Sequence, residues 1–482
     1  MRLSVVPAPS LRLSAVPAMA DHLPLHDAAV MTPPPASVAA PRPGAVAALH
    51  RRRGPAVGDV ANKPSPAAVD SGDTAWVLTS TALVVSMLLP GLALFYGGLA
   101  RSGSVLNVLG QCLFSFCMVS VLWVSVGYSL TFSDVGMVEG VVTARSFLGD
   151  LSKAWLGGNV ATGVVGTLPE HLWFCFQMSF AAITPALVIG AWAERMKWSA
   201  ALVFITLWPL VVYCPVGHMV WGGPGSLLGD LHALDFAGGL VVHLTSGCAA
   251  LVSALMLGPR KRGLALAPHN LPMAVTGCGM LLVGWIGFNA GSAAAANGAA
   301  AAALAATLVA AAGGGLAWAA ADRLFGHRKT ESIVGLISGI VAGLVAITPM
   351  AGFVGGAAAV ACGAIVALVC RFFVETVKPA FGYDDALDVV GIHGVGGFVG
   401  NALAGVFAAP ALGGNNVALG WLPQTGVQIA SSLVVVVWAL AGSWLVLAVA
   451  SKLCGGLRAT EADEEVGLDG PELGESAYVG LA

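Results

Sequence analysis

From Ala75 onward the chain is a succession of apolar runs, each about 20 residues or more, the length at which one α-helix crosses a roughly 30 Å hydrocarbon layer. In lipid every backbone N–H and C=O must be bonded within the protein, so only helices and closed barrels can span. A barrel would alternate polar and apolar residues in short segments, and these runs do not. Composition points the same way: 57% of residues are hydrophobic and 10% charged, against roughly 25% charged in an ordinary soluble domain.

The runs predict an all-α polytopic membrane protein with eleven transmembrane helices, at about residues 75–98, 105–132, 171–193, 198–222, 236–257, 271–292, 298–321, 332–350, 352–370, 388–409 and 427–450. Three segments follow: an extension over 1–72, a helical domain over 73–450, and a C-terminal tail over 451–482. The extension is rich in Pro, Ala and Ser and reads as disordered, either a targeting segment or the product of a misassigned start. With odd-numbered spans running inward, thirteen basic residues after position 72 fall inside and two, Arg145 and Lys153, outside. Because positive charge stays on the cytoplasmic side, the expected placement is a multi-pass protein of the cell (inner) membrane, N-terminus out and C-terminus in.

Within so apolar a chain the ionisable residues inside spans stand out, since burying them in a bilayer is costly. His243 lies in "DFAGGLVVHLTSG" and His393 in "DVVGIHGVGG". Two imidazoles side by side can share a hydrogen bond, one N–H donated to the other's bare nitrogen. The tripeptide "ALD" recurs at 233–235 and 386–388, each time shortly before one of these histidines. That echo between spans five and ten predicts two inverted five-helix repeats plus one extra helix, with a site between the halves near the midplane. Asp235 and Asp388 then read as N-terminal caps of spans five and ten, Asp235 adding a fixed negative charge near the outer mouth. Phe176, Phe180, Trp221, Trp285 and Phe288 are the aromatic candidates, Trp221 being placed for a cation–π contact.

Several stretches together resemble the ammonium transporter family, the Amt, methylammonium permease and Rh group, on the Amt side: "PGLALFYGGLAR" (90–101), "FQMSFAAITPALVIGAWAER" (176–195), "HMVWGG" (218–223), "ALDFAGGLVVH" (233–243), "GWIGFNAGSA" (284–293) and "DVVGIHGVGGFVGN" (388–401). The resemblance implies a homotrimer in which each subunit has its own pore. It implies that Phe180, Trp221 and Ser292 form an outer ammonium-recruiting site, with Phe180 and Phe288 as a stacked gate beneath it. His243 and His393 would be twin pore-lining histidines, and Asp235 the carboxylate supporting recruitment. It also implies that the tail over 451–478 is regulatory and that a PII-type signal protein docks near Arg260, Lys261 and Arg262. No cofactor, metal or nucleic acid is expected, and no enzymatic activity. Bis-histidine haem ligation and a Ser292 protease dyad are rival readings of the same residues; a third is an ammonium sensor that conducts little and signals through its tail.

Overall fold

The computed structural model describes residues 68–261, 267–326, 329–415 and 419–478; the extension as far as residue 67 lies outside them. Among the described residues ten helices are long and apolar enough to cross a bilayer: α1 Ser71–Leu99, α2 Ser102–Phe132, α3 Glu170–Trp192, α4 Trp198–Trp221, α5 Gly239–Leu257, α6 Leu271–Ala290, α7 Gly298–Phe325, α9 Gly356–Phe381, α10 Val390–Phe407 and α11 Trp421–Leu453. The shorter α8, Ile333–Ile347, completes the eleven expected spans. It stops early because "TPM" follows, and Pro349 carries no N–H to continue the ladder. The α2–α3 connection adds a small hairpin, β1 Val164–Val165 paired antiparallel with β2 Leu168–Pro169.

Helices α3 and α5 lie at the centre of the bundle, with 83% of their apolar windows buried, against 39% for α11 at the rim. The centre is closed by small residues, as expected where lipid gives helices no hydrophobic reason to associate. At the crossing of α5 with α10, a Cβ placed on Gly247 would lie 2.1 Å from Gly394 Cα, and one on Gly397 would lie 3.1 Å from His243 Cβ. Residue 247 thus meets 393–394 while 397 meets 243–244, the reciprocal pattern of two halves related by a two-fold axis.

Both histidine helices open with a wide, π-type turn, Gly239–Leu244 and Val390–Val395. Ahead of each is a left-handed residue, Gly238 at φ 115° and Asp388 at φ 62°. Asp235 caps α5 as the sequence predicts, its carboxylate accepting from Gly238, Gly239, Leu240 and Val241 N–H at 2.8, 2.6, 2.8 and 3.1 Å. The cap expected of Asp388 falls instead to Asp385, which is fully buried and accepts the Val390 N–H at 2.7 Å. The Asp388 carboxylate turns away to Lys378. The "ALD" echo is therefore out of register by three residues: the matching pairs are Asp235 with His243 and Asp385 with His393, the same eight-residue step in each half.

The C-terminal tail packs under the face opposite Trp221. Its backbone pairs with the α3–α4 loop, Lys197 N–H to Leu457 O and Ala459 N–H to Arg195 O, both 2.9 Å. The Asp469 carboxylate accepts the Leu106 and Asn107 N–H groups at the start of α2. The Tyr478 hydroxyl meets His269 Nε2 at 2.8 Å.

Candidate functional site

A file of rings runs down the centre of the bundle. Trp221, at the last residue of α4, stands edge-on to Phe180 of α3 with centroids 6.3 Å apart. Phe180 stacks on Phe288 of α6 at 4.2 Å and 28°. Phe288 lies 6.0 Å from His243, and His243 5.2 Å from His393, both pairs near-parallel. Five separate helices supply these side chains, so their meeting is a tertiary event. Phe180, Phe288, His243 and His393 are buried, whereas Trp221 and Ser292 are partly open.

Hydrogen bonds and stacking tie several members of the file to their surroundings. Trp221 Nε1 donates to Asp235 O at 3.0 Å, coupling the indole to the capping loop of α5. Ser292 Oγ donates to Phe288 O at 2.7 Å, which leaves its oxygen lone pairs free to accept from a further donor. Trp285 stacks on His243 at 5.4 Å and is itself pinned by Nε1–H donation to Thr348 Oγ1. The two histidines face each other through Nδ1 at 3.2 Å, so one ring donates and the other accepts. His243 Nε2 is buried without a hydrogen-bond partner among the described residues. The five rings of the file are Trp221, Phe180, Phe288, His243 and His393, none of which carries a carboxylate or an ammonium group. Among the described residues no group of three or more His, Cys, Asp or Glu side chains is placed to hold a metal.

Charge is kept at the two ends. Burial pushes the Asp235 carboxyl up to about 6, against the downward pull of its four N–H donors. Burial likewise raises Asp385 to about 6, the neighbouring Asp388 adding to the effect. On the tail side, Arg260 forks onto Asp384 at 2.8 and 2.9 Å and approaches Glu194 at 3.7 Å. Although burial opposes it, this fork holds the Asp384 carboxyl down to about 2. Of the basic residues read as a docking patch, Arg260 is thus committed to internal ion pairs and Lys261 to Glu465 at 3.0 Å. Arg262 lies outside the described residues.

Sequence reasoning missed Asp385, Trp285 as a ring neighbour of His243, and Thr348. The step from aspartate to histidine was the available signal for the first. For Thr348 the available signal was the tetrapeptide "AITP", which occurs at 182–185 and again at 346–349, inside α3 in the first case and at the end of α8 in the second.

A bundle of eleven helices around a buried file of aromatic and imidazole rings defines a polytopic membrane protein of the channel or carrier class. Comparison with known proteins narrows this: a profile of the Ammonium Transporter Family matches residues 75–478, and the chain belongs to that family. The ammonium transporter of Aquifex aeolicus is 46% identical over 415 residues, covering 86% of this chain and 95% of that one. The crystal structure of Candida albicans Mep2 superposes with a TM-score of 0.73 at 36% identity, over 82% of this chain and 88% of that one. A structure titled Sensor Amt Protein gives 0.75 at 26% identity, over 83% and 98%.

Proposed function

We infer that the protein carries ammonium across the membrane, recruiting the cation at the Trp221 face and passing ammonia through the ring file. The observation that carries this reading is the continuous contact from Trp221 through Phe180 and Phe288 to the His243–His393 pair. The indole face of Trp221 attracts a cation, and Ser292 Oγ, already donating to Phe288 O, accepts an N–H from it. Asp235 adds negative charge behind the indole.

Below this cup the lumen is apolar. A bare ion entering it loses its hydration at a cost of many kcal/mol, whereas neutral ammonia loses only hydrogen bonds. Ammonium and potassium are close in size, but only ammonium can surrender a proton. A dry file therefore passes what can deprotonate and rejects what cannot. The histidine pair offers the ammonia hydrogen bonds in mid-membrane, and its Nδ1–Nδ1 contact is a route by which the proton can follow, making uptake electrogenic.

The same reading places the Trp221 face outside and the tail in the cytoplasm, with three copies assembling as a homotrimer, each with its own pore. A PII-type partner would meet the cytoplasmic loops, where Lys261 is the more accessible of the two described basic residues, Arg260 and Lys261. The docked tail gives the sensor reading a physical basis as well, since it bridges loops at the ends of several spans.

The deciding experiment is electrophysiology on proteoliposomes given ammonium or potassium pulses. Wild-type protein is expected to pass ammonium current and no potassium current, and the H243A/H393A double variant to lose that discrimination. A wild-type chain that passes neither ammonium nor ammonia sinks the transport reading in favour of the sensor. Retained selectivity in the double variant removes the histidines from the filter.

A further inference from the structure

The two mouths of the file are built on one plan and finished differently. Asp235 and Asp385 each stand eight residues ahead of a file histidine, each buried where its helix starts. Three residues after each aspartate comes the left-handed position, Gly238 or Asp388. The backbone carbonyl of each aspartate also accepts from a side chain in the last turn of the preceding helix. At one mouth Trp221 Nε1, ending α4, donates to Asp235 O at 3.0 Å. At the other Lys378 Nζ, near the end of α9, donates to Asp385 O at 3.0 Å. Trp221 and Lys378 therefore hold equivalent places at opposite ends of the pore.

The chemistry at the two places is opposite. At the Trp221 mouth the left-handed residue is glycine, and a Cβ added there would lie 3.5 Å from the indole; the bare backbone leaves a neutral aromatic cup. At the far mouth the left-handed residue carries a carboxylate, at a backbone angle that side chains disfavour, and that carboxylate is ion-paired with Lys378. The lysine head is a primary ammonium donating to one carboxylate and one carbonyl, the same bonding that a free ammonium ion would seek.

We propose that Lys378 is a tethered cation occupying the inner counterpart of the recruiting site, so that ammonium is bound at the outer mouth and released rather than held at the inner one. The proposal rests on the reading of the Trp221 cup as an ammonium site. With the lysine in place, the Asp388 carboxylate is neutralised and the Asp385 carbonyl has its donor. A second cation arriving there meets a like charge at close range, which disfavours it. Without the lysine, the same oxygens form an unfilled acceptor pair at the pore exit.

The test measures ammonium half-saturation separately from each side, in oriented proteoliposomes of the full chain. Lys378→Met is expected to lower the inner-side value at least threefold while the outer-side value moves less than twofold. Lys378→Arg keeps a cation and is expected to behave as wild type on both sides. The K378M/D388N double variant, lacking the freed carboxylate, is expected to return the inner-side value toward wild type. An inner-side value unmoved in K378M, or equal shifts on both sides, overturns the proposal. If K378M does not fold, K378Q, which keeps a donor for the Asp385 carbonyl, carries the same expectation. Wild-type protein that moves no ammonium from either side overturns the transport reading itself; wild-type transport with an unmoved K378M overturns only the lysine's role.

Discussion

At the scale of single residues, the most informative side chain is Asp385, because it does by position what Asp388 promised by motif. Its carboxylate accepts the Val390 N–H at 2.7 Å in a fully buried position. Orphaning such a buried donor costs about 1–3 kcal/mol. Asp385→Leu is expected to lose about that much in thermal unfolding in detergent, and Asp385→Asn, which keeps an accepting oxygen, to lose less. Asp388→Asn breaks only a partly exposed ion pair and is expected to cost under about 1 kcal/mol. Equal losses at 385 and 388 would return the cap to Asp388. Asp235 makes a functional prediction through pH. Its folded carboxyl sits at about 6, above the ordinary value near 4. As pH falls through that window the fold therefore gains stability from this group, while the negative charge behind Trp221 disappears. Ammonium current at low substrate should drop between pH 7 and pH 5 with the protein still folded, and the drop should be absent in Asp235→Asn. A wild-type current that is flat over this range would show that the charge takes no part in recruitment.

At the scale of elements, the crossing of α5 and α10 sets the distance between the two histidines. That crossing is closer than any β-carbon allows: Gly247 faces Gly394 backbone at 2.1 Å from where its Cβ would be. Gly247→Val must push the helices apart, and overpacking of this kind typically costs about 1–3 kcal/mol. The expected result is a lower melting temperature together with loss of ammonium-over-potassium selectivity, since the Nδ1–Nδ1 contact of 3.2 Å cannot survive the shift. Selectivity retained in a destabilised G247V chain would separate the histidine contact from the filter. The wide turns at Gly239–Leu244 and Val390–Val395 belong to the same device, because a turn of this kind re-aims a side chain without ending the helix and is common at functional sites.

At the scale of the whole molecule, the two faces differ in charge and in covering. The Trp221 face carries Arg145 and Lys153, and Lys153 is already paired with Glu170 at 2.7 Å. The opposite face carries the remaining basic residues of the described loops and is closed over by the tail. That asymmetry predicts the orientation, and labelling with a membrane-impermeant thiol reagent checks it. A cysteine at exposed Val142, beyond α2, should react on intact cells, and one at exposed Val466, in the tail, only after permeabilisation. Reaction of Val466→Cys on intact cells would invert the topology.

Much of this protein was legible in its residues alone. The length of the apolar runs dictated spanning helices because lipid offers the backbone no other partner. The cost of burying an imidazole marked His243 and His393 before any fold was known. Both arguments depend only on what a residue is and on the medium around it. The register of the repeat did not follow from the tripeptide, because "ALD" recurs by composition, whereas the cap is chosen by which carboxylate can reach the free N–H groups at the helix start. Only the tertiary structure could decide that Asp385 caps and Asp388 pairs with Lys378. Nor could the sequence place Trp221 and Lys378 at equivalent points of opposite mouths, since that equivalence exists only once the two halves are folded against each other about a shared axis.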